Sequence, residues 1–233
     1  MDAFLDGHLK SVVAHSASGK ILASKRATFL GMPALEYSYK HRVEGIPFIA
    51  KGVTFMIDGG HVRLSMWYPL TDSEGPALYE RFLKSFKLLP VAYRPSSAPI
   101  TDPREIAFTP PSGWVKGKPR NAYEIARLSN LTRSMALLAA GNRSYNCDAY
   151  KAELQRSGIV LEQSQVTLRG RQAQKVITFE DVPKYNIRLT TAHYCLNSRI
   201  GAVVLVGTEE QSMYWRWASV IEGAASTVKV PTP

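Results

Sequence analysis

The chain has 233 residues, 45% hydrophobic and 21% charged, with 29 Lys and Arg against 19 Asp and Glu, for a net charge of +10. That composition excludes a disulfide-bound miniprotein and a disordered tail, and leaves one large folded domain or two small ones. The positive charge permits an anionic partner or surface without naming one.

Residues 1–8 carry Asp2 and Asp6 and no apolar core segment, so no secretory signal is read there. Residues 5–14 are patterned as a helix ending near Ser18-Gly19, since glycine takes the left-handed conformation of a helix C-terminus. An extended run over 25–29 leads through Gly31 to period-two alternation over 34–39. Strands over 48–57 and 62–67 flank Asp58-Gly59-Gly60, a strong hairpin signal, and an amphipathic helix follows over 77–88. Pro90, Pro95, Pro99 and Pro103 cannot sit inside a sheet or helix, and predict an extended linker over 91–106 between a domain over 1–90 and another over 107–233. Beyond it come Phe108-Thr109-Pro110-Pro111-Ser112-Gly113-Trp114, strands over 123–128 and 133–140, and a helix over 147–156 with Asn146 as N-cap. An extended run over 164–168 and a strand over 174–179 precede strands over 187–195 and 202–206, joined by Asn197-Ser198-Arg199, and a closing helix over 211–224. The fold class is α+β, an antiparallel sheet flanked by helices.

The two domains read as copies of one another. A shift of 139 pairs Ser18-Gly19 with Ser157-Gly158 and residues 27–31 with 166–170. Ile46-Pro47 pairs with Val182-Pro183 at 136, residues 53–59 with 192–198 at 139, and 82–86 with 217–221 at 135. Small changes of shift are what loop insertions produce, and the order of elements never breaks. Counterparts of the strands over 123–140 would fall before residue 1, so the first copy is expected to be incomplete, through a trimmed start more than natural shortening, and to expose an unpaired edge.

The chemistry-bearing residues are sparse. His8, His15, His41, His61 and His193 are scattered, without metal-ligand spacing, and no glycine-rich phosphate loop is present, so neither metal nor cofactor is expected. His193 and Cys195, two apart on a strand, point the same way about 7 Å apart, too far for a nucleophile and its base; the expectation is a partly buried Cys beside a surface or edge His. Cys147 and Cys195 fit either a reduced cytosolic protein or one disulfide in an exported one. A bond requires the helix carrying Cys147 to pack on the strand carrying Cys195; two separate thiols are the alternative. Residues 107–233 hold 16 basic and 9 acidic side chains against 11 and 8 in residues 1–93. Lys116, Lys118 and Arg120 after Trp114, with Arg169 and Arg171 around Gly170, are therefore a candidate basic surface for a partner, although no Lys/Arg run long enough to indicate nucleic acid occurs. Trp215 and Trp217, two apart on a helix, cannot both face one way. No run approaches the 18 to 20 or so apolar residues of a membrane helix.

The order Phe-x-Pro-Pro-x-Gly-Trp at 108–114, hairpin, helix, strand followed by Gly, paired strands and the aromatic helix with Met213-Tyr214-Trp215-Arg216-Trp217 resembles the PsbP-like α/β/α sandwich, shared by an extrinsic photosystem subunit, a Ran-binding import factor and bacterial DcrB-like proteins. Residues 107–226 cover the whole pattern and 1–90 its later two thirds. The resemblance implies a non-catalytic, protein-binding accessory or scaffold module, in a bacterium, with a periplasmic or exported setting favoured and no family site residue to carry over. The alternatives are a hydrolase-like enzyme with its site in an inter-domain cleft, and a small-ligand carrier with an apolar pocket between sheet and helix.

Overall fold

The computed structural model describes residues 7, 20–58, 60–131, 133–157 and 159–232, and the chain divides into two units, Met1–Leu88 and Leu89–Pro233. The helix expected over 5–14 lies outside the described residues. Those described form mostly antiparallel sheet with three helices, an α+β fold.

The first unit is a four-stranded meander of β1 (Lys20–Phe29), β2 (Met32–Val43), β3 (Ile46–Ile57) and β4 (Gly60–Pro69), followed by α1 (Gly75–Ser85). Its three hairpins are two-residue turns, closed by the pairs Phe29↔Met32, Val43↔Ile46 and Ile57↔Gly60. Each turn begins on a positive φ, at Leu30 (53°), Glu44 (50°) and Asp58 (51°), the backbone that matches the right-handed twist of the flanking strands. One face carries Val53, Phe55 and Tyr68, against which α1 lays the buried Tyr79. The side chain of Asp72 accepts the Glu74 and Gly75 N–H groups at 2.9 and 3.1 Å in a turn that leads into that helix; Phe86, extended just after it, turns back onto Phe29 and Phe55 at 6.1 and 6.4 Å between ring centroids. The other face carries Leu35, Tyr37, Tyr39 and Ala50. Gly52 stands directly opposite Tyr37, where any Cβ would lie 2.4 Å from the ring.

The second unit has a seven-stranded antiparallel sheet in the order β10-β11-β12-β13-β9-β8-β7. Its strands are β7 (Val115–Gly117), β8 (Glu124–Asn130), β9 (Arg133–Ala139), β10 (Ile159–Leu168), β11 (Arg171–Val182), β12 (Ile187–Ser198) and β13 (Gly201–Glu210). Alternation along β12 and β13 sends side chains to opposite faces. Tyr194, Leu196, Val203 and Leu205 meet Ile221, Ala224 and Ala225 of α3 (Gln211–Ala225), while Cys195 and Val204 meet Cys147 of α2 (Cys147–Ser157). The helices therefore cover opposite faces, an α/β/α layering. Trp217 turns inward, edge-on to Trp114 at 6.5 Å, and Trp215 is half-exposed.

The segment expected to be a linker belongs to this unit instead. The Val91 N–H donates to the Arg216 carbonyl at 2.9 Å, Ser219 Oγ to the Val91 carbonyl at 2.7 Å, and Tyr93 Oη to the Thr109 carbonyl at 2.9 Å, its ring filling the space left by Gly223. Residues 100–102 form β5 (Ile100–Asp102), paired with β6 (Ile106–Phe108), whose Ile106 and Phe108 are fully buried. Proline stiffness here makes a strap across α3, not a free spacer.

The two units share internal dimensions. β1 to β4 have 10, 12, 12 and 10 residues, and β10 to β13 have 10, 12, 12 and 10. The register slips at the same place in both, between Ile21 and Ala23 and between Val160 and Glu162. Phe29 and Leu168 end the first strands, 139 apart, whereas β3 and β12 begin at Ile46 and Ile187, 141 apart. The pairing of Ile46-Pro47 with Val182-Pro183 expected from sequence is thus displaced: Pro183 opens a 3-10 turn (Pro183–Tyr185) within a four-residue connection, 183–186, two residues longer than Glu44-Gly45.

Candidate functional site

The α2 face of the second unit concentrates its polar chemistry. Asn146 caps the helix, its Oδ1 accepting the Ala149 N–H at 2.9 Å, and the Cys147 N–H donates to Asn197 Oδ1 at 2.9 Å. This seats the helix start on β12, and Cys147 and Cys195 form a disulfide, so neither is a nucleophile. One turn along, Tyr150 Oη lies 2.8 Å from His193 Nδ1, and Thr178 Oγ1 lies 3.1 Å from Nε2. The expected surface or edge histidine is in fact buried between two hydroxyls, because α2 covers the strand interior on which it sits. Burial lowers its pKa from 6.5 to about 4.

That shift fixes a pH dependence. Between pH 6.5 and about 4 the unfolded chain holds a proton that the folded His193 refuses, so this contribution is complete above 6.5 and is lost as pH falls through that window. Urea unfolding at pH 7 and at pH 4 should differ by about 3 kcal/mol from this residue. His193→Gln, which keeps a donor and an acceptor, should flatten that part of the slope; an unchanged slope would refute the assignment.

Beside His193 the sheet runs out from under α2 and leaves a cavity of about 390 Å³. Leu138 and Ala140 at the end of β9, with Ala202 and Val204 of β13, make its floor; Tyr123, Tyr145, Tyr150, Asn142 and Glu153 make its walls. The wall is tied down by backbone bonds, Ala202 N–H to the Tyr145 carbonyl at 2.7 Å and Ala140 N–H to the Ala202 carbonyl at 3.0 Å. Gly201, at φ 107°, permits this close approach: a Cβ there would lie 2.2 Å from the Asn142 carbonyl oxygen. Tyr145 Oη donates to the Glu153 carboxylate, and burial together with that neighbour pushes its pKa up to about 12.

On the opposite face, Arg133 and Glu209 form a fully buried ion pair, with the guanidinium 3.9 Å over the Trp217 ring. Nothing in the sequence pattern indicated this pair.

The five basic residues expected to form one surface do not. Lys116 is on β7, with Lys118 and Arg120 just past it, whereas Arg169 and Arg171 sit at the β10–β11 turn. β7 is one edge of the sheet and β10 the other, so β7 and β11 stand five strand spacings apart, about 24 Å. Arg171 is structural, donating to the Val230 and Asn197 carbonyls at 3.1 and 3.2 Å.

In the first unit the notable feature is an edge. β4 ends its sheet, and among the described residues no strand lies beyond it. Ile57↔Gly60 is the bonded pair flanking a two-residue turn, so even-numbered residues of β4 bond to β3, a phase continued by Leu70 N–H to the Pro47 carbonyl at 2.9 Å. The backbone groups of Arg63, Ser65 and Trp67 therefore point outward, on the side where Pro69 has no N–H to offer. In the second unit the strand at the matching place, β13, bonds through that side to β9, Val204 opposite Leu138 and Val206 opposite Ala136.

Among the described residues no group of three or more His, Cys, Asp or Glu could hold a metal ion, and no helix is long and apolar enough to cross a membrane. No family model and no curated protein matches the chain. Among solved structures it is similar to a Bacteroides thetaiotaomicron protein at 18% identity, covering 55% of this chain and 45% of that one with a TM-score of 0.42. It is also similar to PsbP of the cyanobacterium Synechocystis sp. PCC 6803, at 10% identity over 63% of this chain and 97% of that one, with a TM-score of 0.41. The chain thus spans under half the length of the Bacteroides protein.

Proposed function

We propose that the chain carries two tandem copies of one PsbP-like module, an incomplete one over 1–90 and a complete one over 107–233, and acts as a non-catalytic accessory protein that binds a protein partner by strand addition to β4. Equal strand lengths, a shared bulge position and parallel registers support the duplication. The binding role rests on one observation, the ten-residue edge of β4. Folded proteins blunt such edges: the second unit ends on the three-residue β7 with its Lys116, and the ten-residue edges β1 and β10 each carry a bulge, whereas β4 pairs with β3 without one. β4 offers Arg63, Ser65 and Trp67 in sequence, with Trp67 53% exposed, which suits an extended partner segment held by main-chain hydrogen bonds. The buried acid Glu209 has Tyr68 at its matching place in β4, so an added strand need not bring a buried Arg as β9 does. The disulfide favours an oxidising, cell-envelope setting.

Ser65→Pro removes an outward N–H and leaves every β3–β4 bond intact, whereas Leu64→Pro breaks that ladder. Ser65→Pro is therefore expected to fold like the parent by circular dichroism and to lose the partners captured by the parent from native extract. Undiminished capture by the folded variant would refute docking at β4.

A further inference from the structure

We propose that the cavity between α2 and the β9 and β13 strands is a binding site for a small organic cation with alkyl groups on nitrogen, of the trimethylammonium type. This site uses residues of the second unit alone and stands independently of strand addition at β4.

Three features select that chemistry. The floor of Leu138, Ala140, Ala202 and Val204 is apolar and small, and leaves about 390 Å³, room for a compact ligand to shed its water. Three tyrosines, Tyr123, Tyr145 and Tyr150, stand around it, and ring faces attract a cation whose charge is spread over alkyl groups. In a chain of net charge +10, Glu153 is the acidic residue of the lining and no Lys or Arg joins it. Glu153 is held in place by the Tyr145 hydroxyl; Arg156, one turn along α2 and outside the lining, donates its Nε–H to the Ala152 carbonyl at 3.2 Å, and its charge reaches Tyr145 through space. An anionic ligand would meet the carboxylate; a hydrated ammonium or metal ion would gain nothing from the floor. An alkylated ammonium satisfies both.

The test is an NMR titration of the full chain, following the amides of Ala140, Tyr145 and Ala202, with choline and with 3,3-dimethylbutan-1-ol, its neutral isostere. Choline should shift these resonances, and the neutral isostere should bind about tenfold more weakly or worse. Tyr123→Ala, at an exposed rim position, and Glu153→Gln should each weaken choline several-fold while the remaining spectrum stays that of the folded protein. Phosphatidylcholine vesicles form a second arm: a cation held in a lipid headgroup would show by co-sedimentation lost in Tyr123→Ala, a free cation by the choline shifts alone. Equal binding of the neutral isostere, or no response to vesicles or to choline at about 50 mM, well beyond ordinary weak affinities, would overturn the proposal.

Discussion

Replacing Cys147 and Cys195 together by alanine is expected to destabilise the second unit by about 4 kcal/mol, because the bond closes a loop across a separation of 48 residues in the unfolded chain. The loss should be local in cause. The disulfide is what pins the start of α2 to β12, and the same helix seats Tyr150 on His193 and walls the cavity with Tyr145. Urea unfolding of the double variant should therefore show a lower midpoint, and the Tyr150 and His193 resonances should broaden or move before the α3 face is disturbed. A variant as stable as the parent, or one that loses the α3 face first, would contradict this account of the layer.

Glu209→Ala is expected to cost about 3–5 kcal/mol, as it leaves the Arg133 guanidinium buried without its carboxylate, and stacking on Trp217 cannot replace that charge. The origin is desolvation, so the effect should be strongly non-additive. Arg133→Met combined with Glu209→Leu removes both charges and should recover most of the stability, since buried ion pairs are often no better than well-packed apolar groups. A double-mutant cycle by chemical denaturation measures the coupling; single and double changes that simply add would show the pair to be solvated. The pair also bonds β9 side chains to β13, so its loss should raise amide exchange at Val204 and Val206.

The sequence made the middle strands and the hairpin at Asp58-Gly59 legible because alternation and turn chemistry are local signals. It hid the first five residues of β1 and of β10. Both are edge strands whose first halves leave apolar residues such as Ile21, Leu22 and Leu161 exposed instead of setting an apolar face against a polar one, and the bulges near Leu22 and Leu161 break the period-two rhythm there. β5 and β7, three residues each, fall among prolines and lysines that read as linker and loop. The site was less legible still. His193 between Ala192 and Tyr194 gives no sign of Tyr150 or Thr178, which reach it from other elements. Lys116 and Arg171 are alike in sequence context, and only the strand order places them at opposite edges. The strand order that the two units share was readable, but not its spacing, because the longer connection after β11 moves the start of β12 to 141 residues beyond that of β3.

The most direct measurement is native-state hydrogen exchange along β4 in dilute protein. Were that strand the open border from which a partner's strand is recruited, the Arg63, Ser65 and Trp67 amides would exchange quickly. Val62, Leu64 and Met66, bonded to β3, would be slow, and Val204 and Val206, at the matching places in β13, would be slow as well. Uniform protection along β4 would mean that the edge is already paired and that nothing is left there to dock.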